Sequence, residues 1–434
     1  MLKLLAALCV DIIVISISNE NWTYTALALV NATITSVELF ADKNRPYTLQ
    51  KLVNMFILIF FVIANEIQYA NNSVVSTLEI ELTDNDYINF QIIVFFIVFL
   101  FNYLYSKFKP NRITLVEQKE CKELFKVSTV KLFIIAFFAF ALILYLYQDN
   151  MSHLFIRGIV GEEFSVVSDE DSGLTNNLIF SKFIRAIPFA CCLLAFNYHL
   201  SKTMRFLLFT FMLIVLFPTG LSRNAIAMYW LPVALLSVKF LRQRNVFVLI
   251  MIFSLLVIFP FLGVFRRWEG ELEYEYSLDF FDSLGFDASQ EMMIVMKMNI
   301  VTWGNQLLGA LLFFIPRSMW PSKPIGSGAF MASFQENTFG NISMPFWGEG
   351  FINFGYIGIF LFTVFLSWIC SKLDYFYWAN QNKKMSITPY YLILLGAIVF
   401  ILRGDLLSSI AYTTGTILSF YVVSIITIRK RTIH

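Results

Sequence analysis

Ile88-Asn-Phe-Gln-Ile-Ile-Val-Phe-Phe-Ile-Val-Phe-Leu-Phe-Asn-Tyr-Leu-Tyr-Ser106, followed at once by Lys107-Phe-Lys-Pro-Asn-Arg112, decides what kind of molecule this is. The first stretch carries no charged side chain and matches the roughly 20 mainly apolar residues that a helix needs to cross a bilayer core. Helix is the form required, because a lone strand or loop in lipid would leave its backbone N–H and C=O groups without partners. The basic cluster behind it marks a cytoplasmic end, since Lys and Arg are enriched in cytoplasmic loops.

The same pattern extends in both directions. Candidate spans fall at 3–18, 22–41, 52–70, 88–106, 131–148, 178–198, 206–219, 224–240, 246–264, 351–371, 389–403 and 406–428. The fold expected is all-α, a polytopic helical membrane protein of about 12 transmembrane helices forming one domain over 1–434. Composition agrees: 58% of residues are hydrophobic and 14% charged, against about 25% charged in soluble domains. Such a chain lacks the polar residues to cover a soluble fold. Nucleic acid is not an expected partner, and the net charge of +2 is uninformative taken whole. The stretch from Met1 to Ser18 reads as a retained first helix, because Asp11 interrupts it and no small-x-small cleavage site follows.

Charge distribution sets the orientation. With both termini inside, most of the 32 basic residues fall on cytoplasmic segments, among them Lys107, Lys109, Arg112, Lys119, Lys122, Lys126 and Lys131. The outer loop 71–87 has Glu79, Glu81, Asp84 and Asp86 and no base. Two outer segments are long: an acidic loop at 149–177 and a large late loop at 265–350. Within the latter, Asp287–Gln306 reads as a helix. The apolar run Leu307–Ile315 is too short to span and reads as a re-entrant or interfacial element. The Pro/Gly-rich stretch from Arg317 to Gly328 cannot be regular helix or central strand.

The chemistry is expected among outward-facing charges, because the positive-inside bias works against each outer cation. Arg223 sits in Pro218-Thr-Gly-Leu-Ser-Arg223-Asn, where Pro218 and Gly220 make a turn and Ser222 can cap the next helix. The free N–H groups of that helix start and the guanidinium together make an anion site; the bland reading is an Arg snorkelling to headgroups. Lys182 and Arg185 share one helical face within a span, and intramembrane cations generally face a cavity or the bundle interior. Arg266 and Arg267 follow the ninth span, Arg317 and Lys323 bracket Trp320-Pro321, and Arg403-Gly-Asp405 forms a tight turn.

Among acids, Glu349 lies in Pro345-Phe-Trp-Gly-Glu-Gly-Phe351, where flanking glycines allow close backbone approach. It suits a general base, a residue that orients one, or a helix N-terminal carboxylate. Glu336 is a weaker candidate, and Glu269, Glu271, Glu273 and Glu275 read as a solvated face. Asp11 and Glu38 are intramembrane acids of the kind proton-coupled carriers use. The three His (153, 199 and 434) and five Cys provide no metal cluster, no CxxC pair and no disulfide framework. No Walker A sequence occurs.

Three stretches carry a resemblance: Gly220-Leu-Ser-Arg223, Ile315-Pro-Arg317-Ser-Met-Trp-Pro-Ser-Lys323-Pro-Ile-Gly-Ser-Gly328, and Gly348-Glu-Gly350-Phe-Ile-Asn-Phe-Gly355-Tyr-Ile-Gly358. With the many spans and one large late outer loop, the chain resembles the O-antigen polymerases, the oligosaccharide repeat unit polymerases. The layout match covers the whole chain; the motif match covers those stretches alone. The resemblance implies a metal-independent, cofactor-free glycosyltransferase at the periplasmic face of a bacterial inner membrane, making O-antigen or capsule. Its substrates would be undecaprenyl-diphosphate-linked glycans, its surroundings the bilayer, and its partner a membrane protein that regulates chain length. Arg223, Arg266, Arg317, Lys323 and Arg185 would bind the lipid diphosphates, with Glu349, Arg223 and Arg317 catalytic. Related O-antigen ligases use a His in the large loop, and 265–350 has none. A lipid-linked oligosaccharide flippase, a secondary transporter or an O-antigen ligase remain the alternatives.

Overall fold

The computed structural model describes residues 2–17, 21–42, 44–75, 80–110, 125–148, 151–155, 172–258, 278–335, 342–380 and 388–430. In chain order the helices are α1 (Leu2–Ile17), α2 (Trp22–Leu39), α3 (Leu49–Ala70), α4 (Asp84–Lys107) and α5 (Thr129–Leu146). Then come α6 (Ser172–Asn197), α7 (Lys202–Val215), α8 (Arg223–Ser237), α9 (Val246–Phe253) and α10 (Ala288–Lys297). The last are α11 (Asn305–Leu311), α12 (Ser327–Phe334), α13 (Phe346–Ala379), α14 (Thr388–Arg403) and α15 (Leu406–Thr427). The fold is all-α apart from a short antiparallel pairing of Phe125–Val127 with Ile428–Lys430. Among the described residues, 6 helices are long and apolar enough to cross a membrane: α3, α4, α5, α7 with its following turn, α13 and α15.

Local chemistry starts and stops these helices. Ser128, Ser201, Ser222 and Asp405 each accept a bond from the backbone N–H three residues on, satisfying a donor that the first helical turn leaves free. Apolar character does not decide burial. The α3 segment is 94% buried and forms the centre of one core cluster with α2, α4 and α13, whereas the more apolar α5 is 22% buried and lies at the edge. A second cluster gathers α6, α7, α8 and parts of α14 and α15.

Polar contacts among the described residues gather at the two ends of the bundle. At one end Asp374 accepts from the backbone N–H groups of Leu49 and Gln50 and from the hydroxyls of Tyr105 and Tyr391. Arg45 and Lys109 stack on Tyr375 there. At the other end Glu349 joins α12, α13 and α15, Asp84 meets Asn21 and Tyr69, and Lys297 pairs with Asp86 at 2.9 Å. These are called below the Asp374 end and the Glu349 end.

Of the twelve candidate spans, six correspond to described helices long and apolar enough to cross a membrane, and two elements differ in kind from the sequence reading. The expected single helix Asp287–Gln306 is broken into α10 and α11, because Asn299, Trp303 and Gly304 all have positive φ. The expected span 351–371 starts late: α13 is interrupted at Phe354 and at Gly355 (φ 62, ψ −148), so its straight part runs over 356–379. The two breaks satisfy each other. The kink frees the carbonyls of Ile352 and Asn353, and these accept from Thr302 N–H at 2.7 Å and Gly304 N–H at 3.0 Å. The Asn353 side chain then accepts from Leu307 N–H at 2.8 Å in the first turn of α11. Arg317 to Gly326 is irregular as expected, but Ser327 and Gly328, expected to be irregular with it, open α12. Helix α11 packs on the bundle through Gly309, which leaves room for Pro324.

The glycines of the 348–358 motif have separate duties. Gly355 occupies a backbone region open essentially to glycine alone. At Gly350 and Gly358 the two arms of the kink touch, and a Cβ on Gly358 would lie 1.8 Å from the Gly350 carbonyl oxygen. Gly358→Ala is therefore expected to destabilise the protein by about 1–3 kcal/mol, read as a lowered melting temperature in detergent. Gly415, with nothing within 4 Å of its Cβ position, is the control and should tolerate Ala. Equal melting of the two variants would show that the kink relaxes freely.

Candidate functional site: a cavity at the Glu349 end

A cavity of about 90 Å³ lies between α6, α8, α14 and α15, lined by Arg185, Ser222, Asn224, Tyr229, Tyr412 and Thr416 among others. A single water needs only ~10–15 Å³ of such volume, so it has room for several waters or one small polar group. Arg185 is 9% exposed. Its Nη2 donates to the Val215 carbonyl at 2.8 Å and its Nη1 lies 3.5 Å from the Tyr147 hydroxyl, while Nε has no hydrogen-bond partner. No carboxylate pairs with it among the described residues. Burying an ion costs several kcal/mol unless it is compensated. The cavity also takes in the start of α8, through Ser222 and Asn224, where free N–H groups and the helix dipole favour negative charge.

Arg223 is the first residue of α8, and its guanidinium stacks on Phe280 at 5.1 Å. It lies so close to Gly285 that a Cβ there would sit 2.6 Å from Nη1. The same 280–287 segment receives Arg403, which donates to the Leu284 carbonyl at 2.9 Å and pairs with the buried Asp287 at 3.1 Å. Asp287 is further satisfied by the backbone N–H and hydroxyl of Ser343. Arg223 and Arg403 thus hold one loop from two helices. The Arg403–Asp287 pair was not legible in the sequence, where Asp405 was the acid beside Arg403. Asp405 instead caps α15 and packs against Gly326, and burial raises its pKa.

Glu349 is 1% exposed. One carboxylate oxygen accepts from Leu406 N–H and the other from Ser327 Oγ, both at 2.9 Å. It therefore complements the N-terminus of α15 rather than of its own helix, and pins α12 to the same point. Arg317 and Lys323 meet each other in the 313–323 turn. Arg317 Nη1 donates to the Lys323 carbonyl at 2.8 Å, and Lys323 Nζ donates to the carbonyls of Phe313 (2.7 Å) and Ile315 (2.9 Å). Burial, and then the Arg317 charge, lower the Lys323 pKa. Arg266, Arg267, Glu336, the Glu269–Glu275 run and the Lys182 side chain lie outside the described residues.

The structure therefore places the sequence candidates in three groups: Arg185 beside the α8 start, Arg223 on the 280–285 segment, and Arg317 with Lys323 around the turn that follows α11. Among the described residues no set of three or more His, Cys, Asp or Glu side chains is arranged to hold a metal. Cys191, Cys192 and Cys370 are buried free thiols. Comparison of the chain with protein-family models, with characterised proteins and with solved structures finds no match to any of them.

Proposed function

We propose that this chain is a membrane-embedded glycosyltransferase that polymerises undecaprenyl-diphosphate-linked repeat units of O-antigen or capsule. In this reading it has about 12 spans, the Glu349 end faces the periplasm, and both termini are cytoplasmic. The observation that carries it is Arg185: a buried guanidinium with no carboxylate partner among the described residues, in a cavity beside a helix N-terminus, suits an oxyanion.

The reaction breaks the bond between the anomeric carbon of the donor glycan and its diphosphate oxygen. A hydroxyl of the incoming lipid-linked unit forms the new glycosidic bond and gives up its proton. The diphosphate leaves with the bonding electron pair, so charge grows on its oxygens. Guanidinium groups meet that charge with paired, planar hydrogen bonds. Arg185 and Arg223 serve this role, with Arg317, Lys323 and Arg266 drawing the substrate diphosphates to the membrane surface. Glu349, with both oxygens engaged inside the protein, is a positioning residue that orients the start of α15. An apolar groove of about 460 Å³ between α4 and α13, lined by Ile93, Phe96, Ile97, Tyr356, Ile359 and Phe360, suits a polyprenyl tail.

Purified protein given a synthetic lipid-linked repeat unit should produce a ladder of longer glycans; a single transfer to a non-polymer acceptor would point to a ligase, and no product to a carrier. The ladder should persist in excess EDTA, since the described donor set offers no metal site. Loss of the ladder on chelation and its return with Mg²⁺ or Mn²⁺ would remove the arginine mechanism. Orientation is tested by single cysteines in a Cys-free background: one placed beside Glu117 should react with an impermeant reagent only after the membrane is opened.

A further inference from the structure

We propose that Glu66 is the binding carboxylate of a small-cation site, for a proton or an alkali-metal ion, buried between α2, α3 and α4. This goes beyond glycan transfer, and neither reading depends on the other. Glu66 lies on α3, one turn before its end, and is 0% exposed. No hydrogen bond of standard geometry reaches either carboxylate oxygen, the Tyr24 hydroxyl beside it being directed at Asn65, and no basic side chain pairs with it among the described residues. Asp11 and Glu38, the acids singled out in the sequence, are by contrast bonded to Thr33 and Gln50. A bare carboxylate in such a place costs several kcal/mol, so its balancing positive charge must come from solution.

The surroundings are built for exchange. Other buried polar atoms without partners lie on the same helices: Thr25 Oγ1, Asn31 Oδ1 and Ser36 Oγ on α2, and Asn65 Nδ2 on α3. Of these, Asn31 and Asn65 are linked through Gln91 and lie nearest Glu66, and a buried unsatisfied polar group marks a place for ordered water or an ion. Directly before Glu66, Ile57–Ile63 is wound as a π-helix, an arrangement frequent at functional sites. Gln91 Nε2 donates to the Phe61 carbonyl within that segment at 2.9 Å, and also to Asn65 Oδ1. The Tyr24 hydroxyl, beside Glu66, donates to the same Asn65 oxygen at 2.9 Å.

Packed side chains join the seam between α2, α3 and α4 to the Glu349 end. The Tyr24 ring packs on Tyr69 with centroids 4.3 Å apart, and the Tyr69 hydroxyl donates to Asp84 at 3.1 Å. The titratable groups around the seam are Tyr24 on α2, Tyr69 on α3 and Tyr87 on α4, with Asp282 on the neighbouring loop. Asp84 and Asp86 lie in the first turn of α4 beyond Tyr69, and Lys297 is held there by Asp86 and by the Glu81 carbonyl.

Dicyclohexylcarbodiimide, which modifies buried carboxyls that exchange a proton, tests this on the full-length protein in detergent. Peptide mapping of the wild type should place an adduct on Glu66, and Glu66→Gln should lose it while eluting as the same monodisperse species. Labelling that falls when Na⁺ or K⁺ is added at constant pH identifies an alkali ion. Labelling that responds to pH and not to salt identifies a proton. No adduct on wild-type Glu66 under any of these conditions, or an adduct indifferent to both pH and salt, overturns the proposal. The wild-type mapping alone decides this if the variant does not fold.

Discussion

Arg185→Ala and Arg223→Ala proteins are each expected to lose glycan polymerisation by about 100- to 1,000-fold, the loss typical of removing one donor that stabilises transition-state charge, or about 2.7–4 kcal/mol. Folding should survive. At position 185 the change removes a buried cation that no described acid compensates, so the desolvation penalty disappears with the charge. Arg185→Met, which also keeps volume, should melt within a few degrees of the wild type. Arg185→Lys and Arg223→Lys should recover little, because an ammonium cannot present the planar fork that grips a diphosphate. At 185 a lysine must also give up either the Val215 carbonyl or the cavity. Product ladders from purified variants supply the readout. Wild-type chain lengths from Arg185→Ala would show that the cavity binds nothing the reaction needs. Wild-type chain lengths from Arg223→Ala would leave Arg223 as a clamp on Phe280 and the 280–285 segment.

Asp374→Ala should be the most destabilising single change at the opposite end, by at least about 3 kcal/mol. Its carboxylate receives Leu49 N–H at 2.9 Å, Gln50 N–H at 3.2 Å, Tyr105 Oη at 2.8 Å and Tyr391 Oη at 2.6 Å. Four donors from three helices would be left buried together, and each unsatisfied donor costs roughly 1–3 kcal/mol. The start of α3 would also lose the negative charge that complements its dipole. Asp374→Asn should fall between, since the amide keeps one acceptor oxygen but turns N–H groups toward donors. Thermal unfolding in detergent reads the effect. Polymerisation per folded molecule should stay near wild type, because Asp374 is at the far end from the Arg185 cavity. A melting temperature unchanged in Asp374→Ala would mean that water replaces the carboxylate at little cost.

Several helices were legible in the sequence. The expected 389–403 and 406–428 became α14 (Thr388–Arg403) and α15 (Leu406–Thr427), and 88–106 became the apolar body of α4. Run length, charged punctuation and capping residues are local properties, so they can be read from one chain. Only the tertiary structure decided which helices enclose α3 and which polar groups meet. In a bundle of this composition the side facing a neighbouring helix and the side facing outward are both apolar, so hydropathy does not orient a helix. The string of α3 carries Asn54, Asn65, Glu66 and Gln68, which the body of α5 lacks, and so marks α3 as the enclosed one, but it does not say which helices enclose it. Nor does it say that Arg403 meets Asp287, that Glu349 caps α15, or that no hydrogen bond of standard geometry reaches Glu66. Those pairings join residues far apart in the chain and depend on helix rotation, crossing angle and the kink at Gly355, which packing of the whole molecule sets.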